Sequence, residues 1–226
     1  ILVVKHAAEG SPGTLLTGNP YTYTTVFSLA TQADGKILVG GTFALNATNW
    51  INFTRLNTNG TLDTGFDPGT SGGSSVAAVA IQPDGKMLIG GAFTAVHSTG
   101  RPGIARLNAT GGLDPNFDPG SAIDGGILTT ALQPDGKLVI GGTFTTVGGL
   151  ARTGLARLNP DGSVDSTFSP GIQFVATASF IRSVALQPDG KVLATGIFVV
   201  ANGTQSRSIA RFNTDGNLDD SFQPYL

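Results

Sequence analysis

The sequence predicts an all-β protein, a β-propeller of four four-stranded antiparallel blades with an extra N-terminal strand. Three observations lead to this fold class: one sequence unit occurs four times, each unit holds four short β-like segments, and glycine-rich turns separate the segments. The tripeptide Asp-Gly-Lys begins at Asp34, Asp84, Asp135 and Asp189, so the unit is about 50 residues long. A four-stranded unit of that length is typical of one propeller blade.

The second unit shows the four segments most clearly. Val76 to Gln82 ends at Pro83-Asp84-Gly85, where proline pre-sets φ and glycine accepts a positive φ in a tight hairpin. The next segments are Lys86 to Phe93, Ile104 to Asn108 and Leu113 to Phe117. We therefore place the four repeats at about 23–69, 74–120, 125–171 and 178–225, within a propeller domain of residues 23–226.

Two further blocks recur at nearly fixed distances after each Asp-Gly-Lys. The first reads Thr54-Arg55-Leu56-Asn57, Ala105-Arg106-Leu107-Asn108, Ala156-Arg157-Leu158-Asn159 and Ala210-Arg211-Phe212-Asn213. The second runs from Asp63 to Phe66, Asp114 to Phe117, Asp165 to Phe168 and Asp219 to Phe222. Groups that occur identically in every blade are expected to be structural, here an arginine–carboxylate pair and an Asx turn in each repeat.

Residue size along the strands supports a radial arrangement. Each first segment carries an alanine that suits a crowded innermost strand, at Ala30, Ala80, Ala131 and Ala185. Each second and fourth segment carries a phenylalanine, and these eight rings are expected to fill the spaces between blades. Glycine pairs at Gly40-Gly41, Gly90-Gly91 and Gly141-Gly142 predict bulges or close backbone approach, whereas the fourth unit has Thr195-Gly196.

The blocks Gln-x-Asp-Gly-Lys, Gly-Gly-x-Phe, Ala-Arg-Leu-Asn and Leu-Asp-x-x-Phe closely resemble the delta-60 repeat, a family of bacterial, mostly exported β-propellers of unknown function. The resemblance covers about residues 24 to 225. It implies a propeller and an extracellular or cell-surface location. It supplies no catalytic residues. The first unit departs from the pattern at Gln32-Ala33-Asp34 and Thr54, which we interpret as drift in a terminal repeat.

Residues 1–22 form an N-terminal strand or extension outside the four repeats. Ile1, Leu2, Val3 and Val4 have strong β propensity and no partner within their own unit. Added to a blade of its own chain, the segment would close the ring; added to a neighbour, it would build a filament by strand donation. The chain begins at Ile1 without an export signal, which we expect to have been removed or never included.

Composition excludes several classes of function. Charged residues make up 12% of the chain against about 25% in an average protein, and the net charge of −2 provides no basic field for nucleic acid. No apolar run reaches the roughly 18 residues of a transmembrane helix, so no membrane insertion is expected. The absence of cysteine removes disulfides and thiolate chemistry.

The chain has few residues suited to catalysis, and we predict that it is not an enzyme. The chain has two histidines, His6 and His97, and no Gly-x-Ser-x-Gly nucleophile elbow. No cofactor is predicted. Calcium is the alternative at two Asp- and Asn-rich turns, although hairpin turns account for the same residues. The oxygen donors there are Asn159, Asp161 and Asp165 in one turn, and Asn213, Asp215 and Asp219 in the other.

Binding is expected where the repeats differ, because loops on a rigid scaffold vary freely. The loops between second and third segments carry the candidate binding residues Trp50, His97, Arg101, Arg152 and Arg207. Trp50 occupies the place that arginine holds in the other three units, and an exposed indole there would stack on a sugar. Five Asn-x-Ser/Thr sequons provide possible glycosylation sites at Asn46, Asn52, Asn59, Asn108 and Asn202.

The function predicted from these features is that of a non-catalytic extracellular or cell-surface propeller. It would serve adhesion or act as a structural subunit, and would self-assemble through its N-terminal strand. Its partners would be further copies of itself, or surface glycans and proteins. The alternative is a carbohydrate-binding module that uses the loops around Trp50.

Overall fold

The computed structural model describes residues 25–46, 49–50, 52–71, 75–120, 123–174, 179–200 and 207–223. In these residues the fold is all-β and contains no helix. The first repeat comprises β1 (Thr25–Thr31), β2 (Ile37–Thr42), β3 (Ala44–Asn46), β4 (Asn49–Trp50) and β5 (Phe53–Leu56). β6 (Thr70–Ser71) leads into the second repeat, which comprises β7 (Val76–Ile81), β8 (Met87–Gly91), β9 (Ala95–Val96), β10 (Thr99–Gly100) and β11 (Ile104–Leu107).

The second half of the chain repeats this order. The third repeat comprises β12 (Ile127–Leu132), β13 (Leu138–Gly142), β14 (Thr146–Val147), β15 (Leu150–Ala151) and β16 (Leu155–Leu158). β17 (Ile172–Gln173) precedes the fourth repeat, which comprises β18 (Phe180–Leu186), β19 (Val192–Val200) and β20 (Arg207–Phe212). The predicted N-terminal strand of residues 1–22 lies outside the described residues.

Each repeat is built on a three-stranded antiparallel sheet. The strand orders are β1-β2-β5, β7-β8-β11, β12-β13-β16 and β18-β19-β20. The hairpin between first and second strands has the predicted turn chemistry: the Asp84 carboxylate accepts a hydrogen bond from the Lys86 N–H, and Gly85 has a φ of +82°. The same turn recurs at Asp34, Asp135 and Asp189.

The fourth segment differs from the prediction, because in the described residues it pairs through one β-bridge and does not extend into a strand. The bridges join Leu56 to Leu62, Leu107 to Leu113, Leu158 to Val164 and Phe212 to Leu218. The chain turns immediately afterwards: Asp63 accepts a hydrogen bond from the Gly65 N–H, and the other three repeats have the same Asx turn. This turn leaves no length for further pairing.

The backbone packing within each blade requires a glycine at the second position of the pair. The first strand of every repeat has a bulge opposite this glycine. A Cβ atom on Gly91 would lie 2.1 Å from the Ser75 carbonyl oxygen. Gly41, Gly142 and Gly196 would meet the equivalent carbonyl at 2.0 to 2.1 Å. Only glycine fits opposite the bulge, which confirms the close backbone approach expected from the pairs.

The hydrophobic core lies between consecutive repeats. The first strands are neighbours in the order β1, β7, β12 and β18. One cluster of buried side chains joins the first repeat to the second, another joins the second to the third, and a third joins the third to the fourth. Phe66, Phe117 and Phe168 are buried in these clusters, as the sequence predicts. In the described residues no such cluster joins the fourth repeat to the first.

Candidate interaction site at the ends of the repeat array

An ion triad closes each repeat locally. In the second repeat, Oδ2 of Asp114 lies 2.9 Å from Nε of Arg106 and 2.9 Å from Nζ of Lys86. The guanidinium of Arg106 also lies over the ring of Phe117, 5.2 Å from its centroid. The other repeats have the same triads, formed by Lys36, Arg55 and Asp63, by Lys137, Arg157 and Asp165, and by Lys191, Arg211 and Asp219. The arginine–carboxylate pair was predicted from the sequence, whereas the lysine in each triad was found only in the structure.

These contacts keep the aspartates ionised. The hydrogen bond from Lys36 lowers the pKa of Asp63 to about 2, with further bonds from Arg55 and the Gly65 N–H outweighing burial. Burial alone would raise the pKa of Asp114, but hydrogen bonds from Lys86, the Asn116 N–H and Arg106 lower it to about 2. The pKa values of Asp165 and Asp219 are also held well below the usual range. The triads are therefore structural ion pairs.

The same arginines also connect consecutive repeats. Nη1 of Arg106 donates to the Pro160 carbonyl of the third repeat at 2.6 Å, and Nη1 of Arg157 donates to the Thr214 carbonyl of the fourth at 2.7 Å. Arg55 donates in the same way to the Ala109 carbonyl. A second bond runs beside each: the Asp118 N–H donates to the Asp161 carbonyl at 2.8 Å, with equivalents from Asp67 to Thr110 and from Ser169 to Asp215.

Two sets of glycines permit this close packing of blades. A Cβ atom on Gly141 would lie 2.7 Å from Cγ2 of Ile181 in the next repeat, and Gly40 and Gly90 are equally close to Val76 and Ile127. On the turn that accepts the arginine bond, a Cβ atom on Gly111 would lie 2.5 Å from the Asp67 carbonyl oxygen. Gly162 and Gly216 are similarly confined. Each interface between blades therefore includes these two hydrogen bonds and two glycine contacts beside its cluster of buried apolar side chains.

At the two ends of the array these contact groups have no partner in the described residues. Arg211 bonds only within its repeat, to Asp219 and Ser221, and its side chain is 20% exposed against 8 to 10% for the other three arginines. Around Gly60, the equivalent of Gly111, nothing lies within 4 Å of a built Cβ atom. Among the described residues, no other blade covers the outer face of the first repeat or that of the fourth.

The uncovered face of the first repeat is apolar. Val26 is 38% exposed, whereas Val76, Ile127 and Ile181 at the same register position are 0% exposed. Phe27 and Leu29 on the same strand are 48% and 45% exposed. Apolar groups that are contiguous and exposed mark an interaction surface. We call Val26 and Leu29 the first-repeat face, because their equivalents Val76 and Val79 lie against the preceding blade.

A small cavity lies where the four first strands converge. Its volume is about 230 Å³, and it is lined by Phe27, Ser75, Ala77, Leu128 and Arg182. Phe27, Ala77, Leu128 and Arg182 are the bulge residues of the four repeats. Arg182 is therefore the one charged residue of this equivalent set, and sequence reasoning missed it. Aligning the four repeats on the glycine pair would have revealed this position.

The candidate binding residues chosen from the sequence lie in short strands or directly beside them, where loops were expected. Trp50 ends β4 and pairs with Ala44, and Arg207 begins β20 and pairs with Phe198. Arg101 is buried and forms an ion pair with Asp118 at 3.6 Å, while Arg152 is half-buried and donates to its neighbouring Ala151 carbonyl. These four residues occupy separate repeats.

His97 is exposed and belongs to the turn of the β9–β10 hairpin. Its φ of +45° and the φ of +64° at Ser98 define the turn that Gly148 and Gly149 form in the third repeat. The ring nitrogen Nε2 lies 3.1 Å from the Asp67 carbonyl oxygen, so the histidine packs on the preceding repeat. Its observed contacts are those of a turn residue.

The two turns considered for calcium use their oxygens internally. The Asp161 carboxylate accepts hydrogen bonds from the Ser163 N–H and hydroxyl, and the Asp215 carboxylate accepts from the Asn217 N–H and side-chain amide. Among the described residues, no three His, Cys, Asp or Glu side chains group in a way that could hold a metal ion.

The sequon residues differ in accessibility. Asn52 is 8% exposed, and its Oδ1 accepts a hydrogen bond from the Phe43 N–H, so this side chain is unsuited to carry a glycan. Asn59 and Asn108 are exposed. Asn46 lies on β3, and Asn202 and the predicted assembly residues Ile1 to Val4 lie outside the described residues. The part of the chain that the structure describes includes no helix with the length and hydropathy of a membrane span.

Comparison with solved structures confirms the propeller-like fold. Streptogramin B lyase is 14% identical with a TM-score of 0.50, over 83% of this chain and 54% of that chain. PorZ, a bacterial surface component of the type-IX secretion system of Porphyromonas gingivalis, is 12% identical with a TM-score of 0.52, over 85% of this chain and 26% of that one. This chain thus spans about half the length of streptogramin B lyase and about a quarter of the length of PorZ.

Sequence comparison identifies the family. No curated protein sequence matches the chain significantly. The profile of DUF5122, a β-propeller domain of unknown function, matches residues 32–66, 82–117, 133–168 and 187–222. The four matches cover more than half of the chain, and each begins directly after the first strand of one repeat and includes its second and third strands. The chain belongs to the DUF5122 β-propeller family.

Proposed function

We propose that the chain is a non-catalytic propeller module of the cell surface or extracellular space that self-associates as a structural or adhesive subunit. The observation that carries this proposal is the first-repeat face, which is exposed and which no other blade covers among the described residues. The same register position is fully buried by the preceding repeat three times in this chain, so a sheet of the same family is the natural cover for Val26. A second copy of the chain provides such a sheet.

The finer assignments belong to the same proposal. We assign the four DUF5122 matches to the delta-60 repeat type, and each repeat to one blade whose fourth strand is reduced to a bridge. The exported character of delta-60 repeats supports the location. The non-catalytic role is supported by the use of the most perturbed carboxylates: the aspartates of the triads hold ion pairs, and Asp124 accepts hydrogen bonds from Thr145 and Thr146.

The test is the molar mass in solution, measured by light scattering across a range of concentrations. The wild-type chain should exceed the monomer mass of 23.0 kDa, and a V26T/L29T variant should return to it because the apolar cover is lost. Threonine keeps the β-branched shape of Val26, and it already occupies the position of Leu29 in the third repeat, as Thr130.

Leu150→Thr is the matched control, since Leu150 is 42% exposed on β15, away from the first-repeat face. It should leave the mass unchanged. A wild-type chain that stays at 23.0 kDa at every concentration would refute self-association.

The alternative, carbohydrate binding through the loops around Trp50, stays a prediction from the sequence. A glycan array compared between the wild-type chain and a Trp50→Ala variant tests it. A defined glycan signal lost only in the variant would favour the alternative.

A further inference from the structure

We infer that the third repeat has an anion-binding site formed by Arg152, Ser169 and Gly171, and that this site takes a carboxylate group. The inference goes beyond the proposed self-association and does not depend on it. It is carried by a comparison within the chain. Two other repeats place the carboxylate of their own aspartate in the equivalent turn, whereas the third repeat has the donors for a carboxylate but has serine in place of the aspartate.

The equivalent turn of the second repeat shows how a carboxylate is held. The turn consists of Asp118, Pro119 and Gly120, and Oδ1 of Asp118 accepts a hydrogen bond from the Gly120 N–H at 2.9 Å. The same oxygen lies 3.6 Å from Nη1 of Arg101, within ion-pair distance. A backbone N–H and a guanidinium are donors that bind a carboxylate through its charge. We call the point between these two donors the carboxylate position.

The first repeat shows that the glycine N–H is the constant part of this position. Asp67 accepts the equivalent bond from the Gly69 N–H at 3.0 Å, although Trp50 replaces the arginine there. The glycine has a positive φ in both repeats, +54° at Gly69 and +79° at Gly120. The turn therefore directs its N–H at the carboxylate position in the same way in both repeats.

The third repeat has the same turn with an uncharged first residue. The turn consists of Ser169, Pro170 and Gly171, and the φ of +58° at Gly171 matches that of Gly69. The Gly171 N–H has no hydrogen-bond acceptor among the described residues. Ser169 is exposed, so a ligand can reach this turn from solvent.

Arg152 is held like Arg101 but has no carboxylate partner. Nη1 of Arg152 donates to the Ala151 carbonyl at 2.8 Å. Nη1 of Arg101 donates to the Gly100 carbonyl at 2.9 Å in the same way. In the described part of the chain Arg152 forms no ion pair, and the internal segments outside that part contain no Asp or Glu. A half-buried guanidinium without a counter-charge favours the binding of an anion.

A carboxylate is the anion that this site fits best, because the chain itself places a carboxylate there twice, at Asp67 and Asp118. Its two oxygens accept from the Gly171 N–H and from the Arg152 guanidinium, and the Ser169 hydroxyl is a further donor beside them. A free carboxylic acid and an acidic sugar both carry such a group.

The first experiment follows the backbone N–H signals of Gly120 and Gly171 by NMR while sodium acetate is added to the full chain at pH 7, where carboxyl groups are ionised. The Gly171 proton signal should move downfield and saturate, because its N–H gains a charged acceptor. The Gly120 signal should stay in place, because Asp118 already accepts its hydrogen bond. Sodium chloride at the same ionic strength is the control, and an equal response of Gly171 to chloride would overturn the assignment to a carboxylate.

The second experiment exchanges the first residues of the two turns. In Ser169→Asp, the new carboxylate should shift the Gly171 signal downfield without acetate and abolish its response to acetate. In Asp118→Ser, the Gly120 signal should acquire the response to acetate, because its turn then has the composition of the third-repeat turn. A Gly171 signal that still responds to acetate in S169D would overturn the site.

The third experiment removes the guanidinium. Arg152→Gln should weaken acetate binding at Gly171 by at least about tenfold, as expected for the loss of a hydrogen bond between charged groups. An unchanged affinity in R152Q, or a wild-type Gly171 signal that does not respond to acetate, would overturn the site. Self-association is read separately, because the molar mass in solution should be the same in R152Q and the wild type.

Titration with glucuronate and with glucose separates the two sources of the carboxylate. Tighter binding of glucuronate than of acetate, with no response to glucose, would identify an acidic sugar. Equal binding of acetate and glucuronate would show that the site recognises the carboxylate alone. A response to glucose equal to that to glucuronate would overturn the assignment to a carboxylate.

Discussion

The three internal interfaces and the two ends of the array contain the same sequence blocks but differ in what these blocks contact. Arg106 bonds both to Asp114 in its own repeat and to the Pro160 carbonyl in the next, whereas the bonds that Arg211 makes to described residues lie within its own repeat. The comparison separates two roles that the repeated motif combines. One role folds a blade, and the other joins it to its neighbour.

The glycine pair shows the same separation. The second glycine faces a carbonyl of its own blade and is present in all four repeats, including Gly196. The first glycine faces the next blade at Gly40, Gly90 and Gly141, and the fourth repeat has Thr195 at this position. The blade therefore folds without a glycine there, whereas the second glycine is present in all four repeats.

The largest difference between interior and end should follow from removing the arginine. Arg106→Met removes the hydrogen bond to Pro160 and one partner of the buried Asp114, so we expect a loss of about 3 kcal/mol, near the lower limit for breaking a buried ion pair because Lys86 remains. Arg211→Met removes only local contacts and should cost clearly less. Urea unfolding of both variants at concentrations that keep the chain monomeric measures the difference.

Equal losses for these two variants would mean that the bond between repeats contributes nothing measurable. The two roles of the arginine would then be one.

A smaller effect is expected at the first glycine. Gly141→Ala places Cβ 2.7 Å from methyl groups of Ile181 and Thr129, and overpacking of this kind costs about 1 to 3 kcal/mol. Thr195→Ala changes the equivalent position at the end of the array and should stay within about 0.5 kcal/mol of the wild type. Thermal unfolding of the two variants measures this difference in stability. The prediction would be wrong if Thr195→Ala were as destabilising as Gly141→Ala.

Much of the blade was predictable because its contacts are local in sequence. The residues of the hairpin turn at Asp84 are adjacent in the sequence, so the sequence alone indicated the turn. The strand before it, β7, begins at Val76 as predicted and ends one residue before the predicted end. The glycine pairs were also predicted to permit close approach. The fourth strand was overestimated because Asp114 starts an Asx turn directly after the Leu113 bridge.

The candidate site was less predictable because it depends on contacts between distant residues. Lys86 and Asp114 meet only after three strands have paired, so no local pattern linked them. The exposure of Val26 depends on what covers the first repeat. The residue type gave no sign of it, because the equivalent residue of the second repeat, Val76, is also valine and is buried. The departure at Thr195 was visible in the sequence, but its meaning required the distance from Gly40 to Val76.

The smallest difference between interior and end concerns acid stability, since the triad lies within one repeat. Asp63 in the first repeat and Asp114 in an interior one each have a pKa of about 2, below the ordinary value of 3.8. The folded chain therefore binds fewer protons than the unfolded chain between these values. Stability from both carboxylates should be complete above about pH 4 and be lost as the pH falls towards 2.

Asp63→Asn and Asp114→Asn test this with the free energy of unfolding measured from pH 7 to pH 2.5. The deficit of each variant relative to the wild type should be constant at neutral pH and shrink below about pH 4, because the wild type then loses the ionised carboxylate that the variant lacks. The pH window should be the same for the two positions. A deficit at Asp114 that persists to pH 2.5 while that at Asp63 disappears would show that burial by the next repeat, and not the local triad, controls the carboxylate.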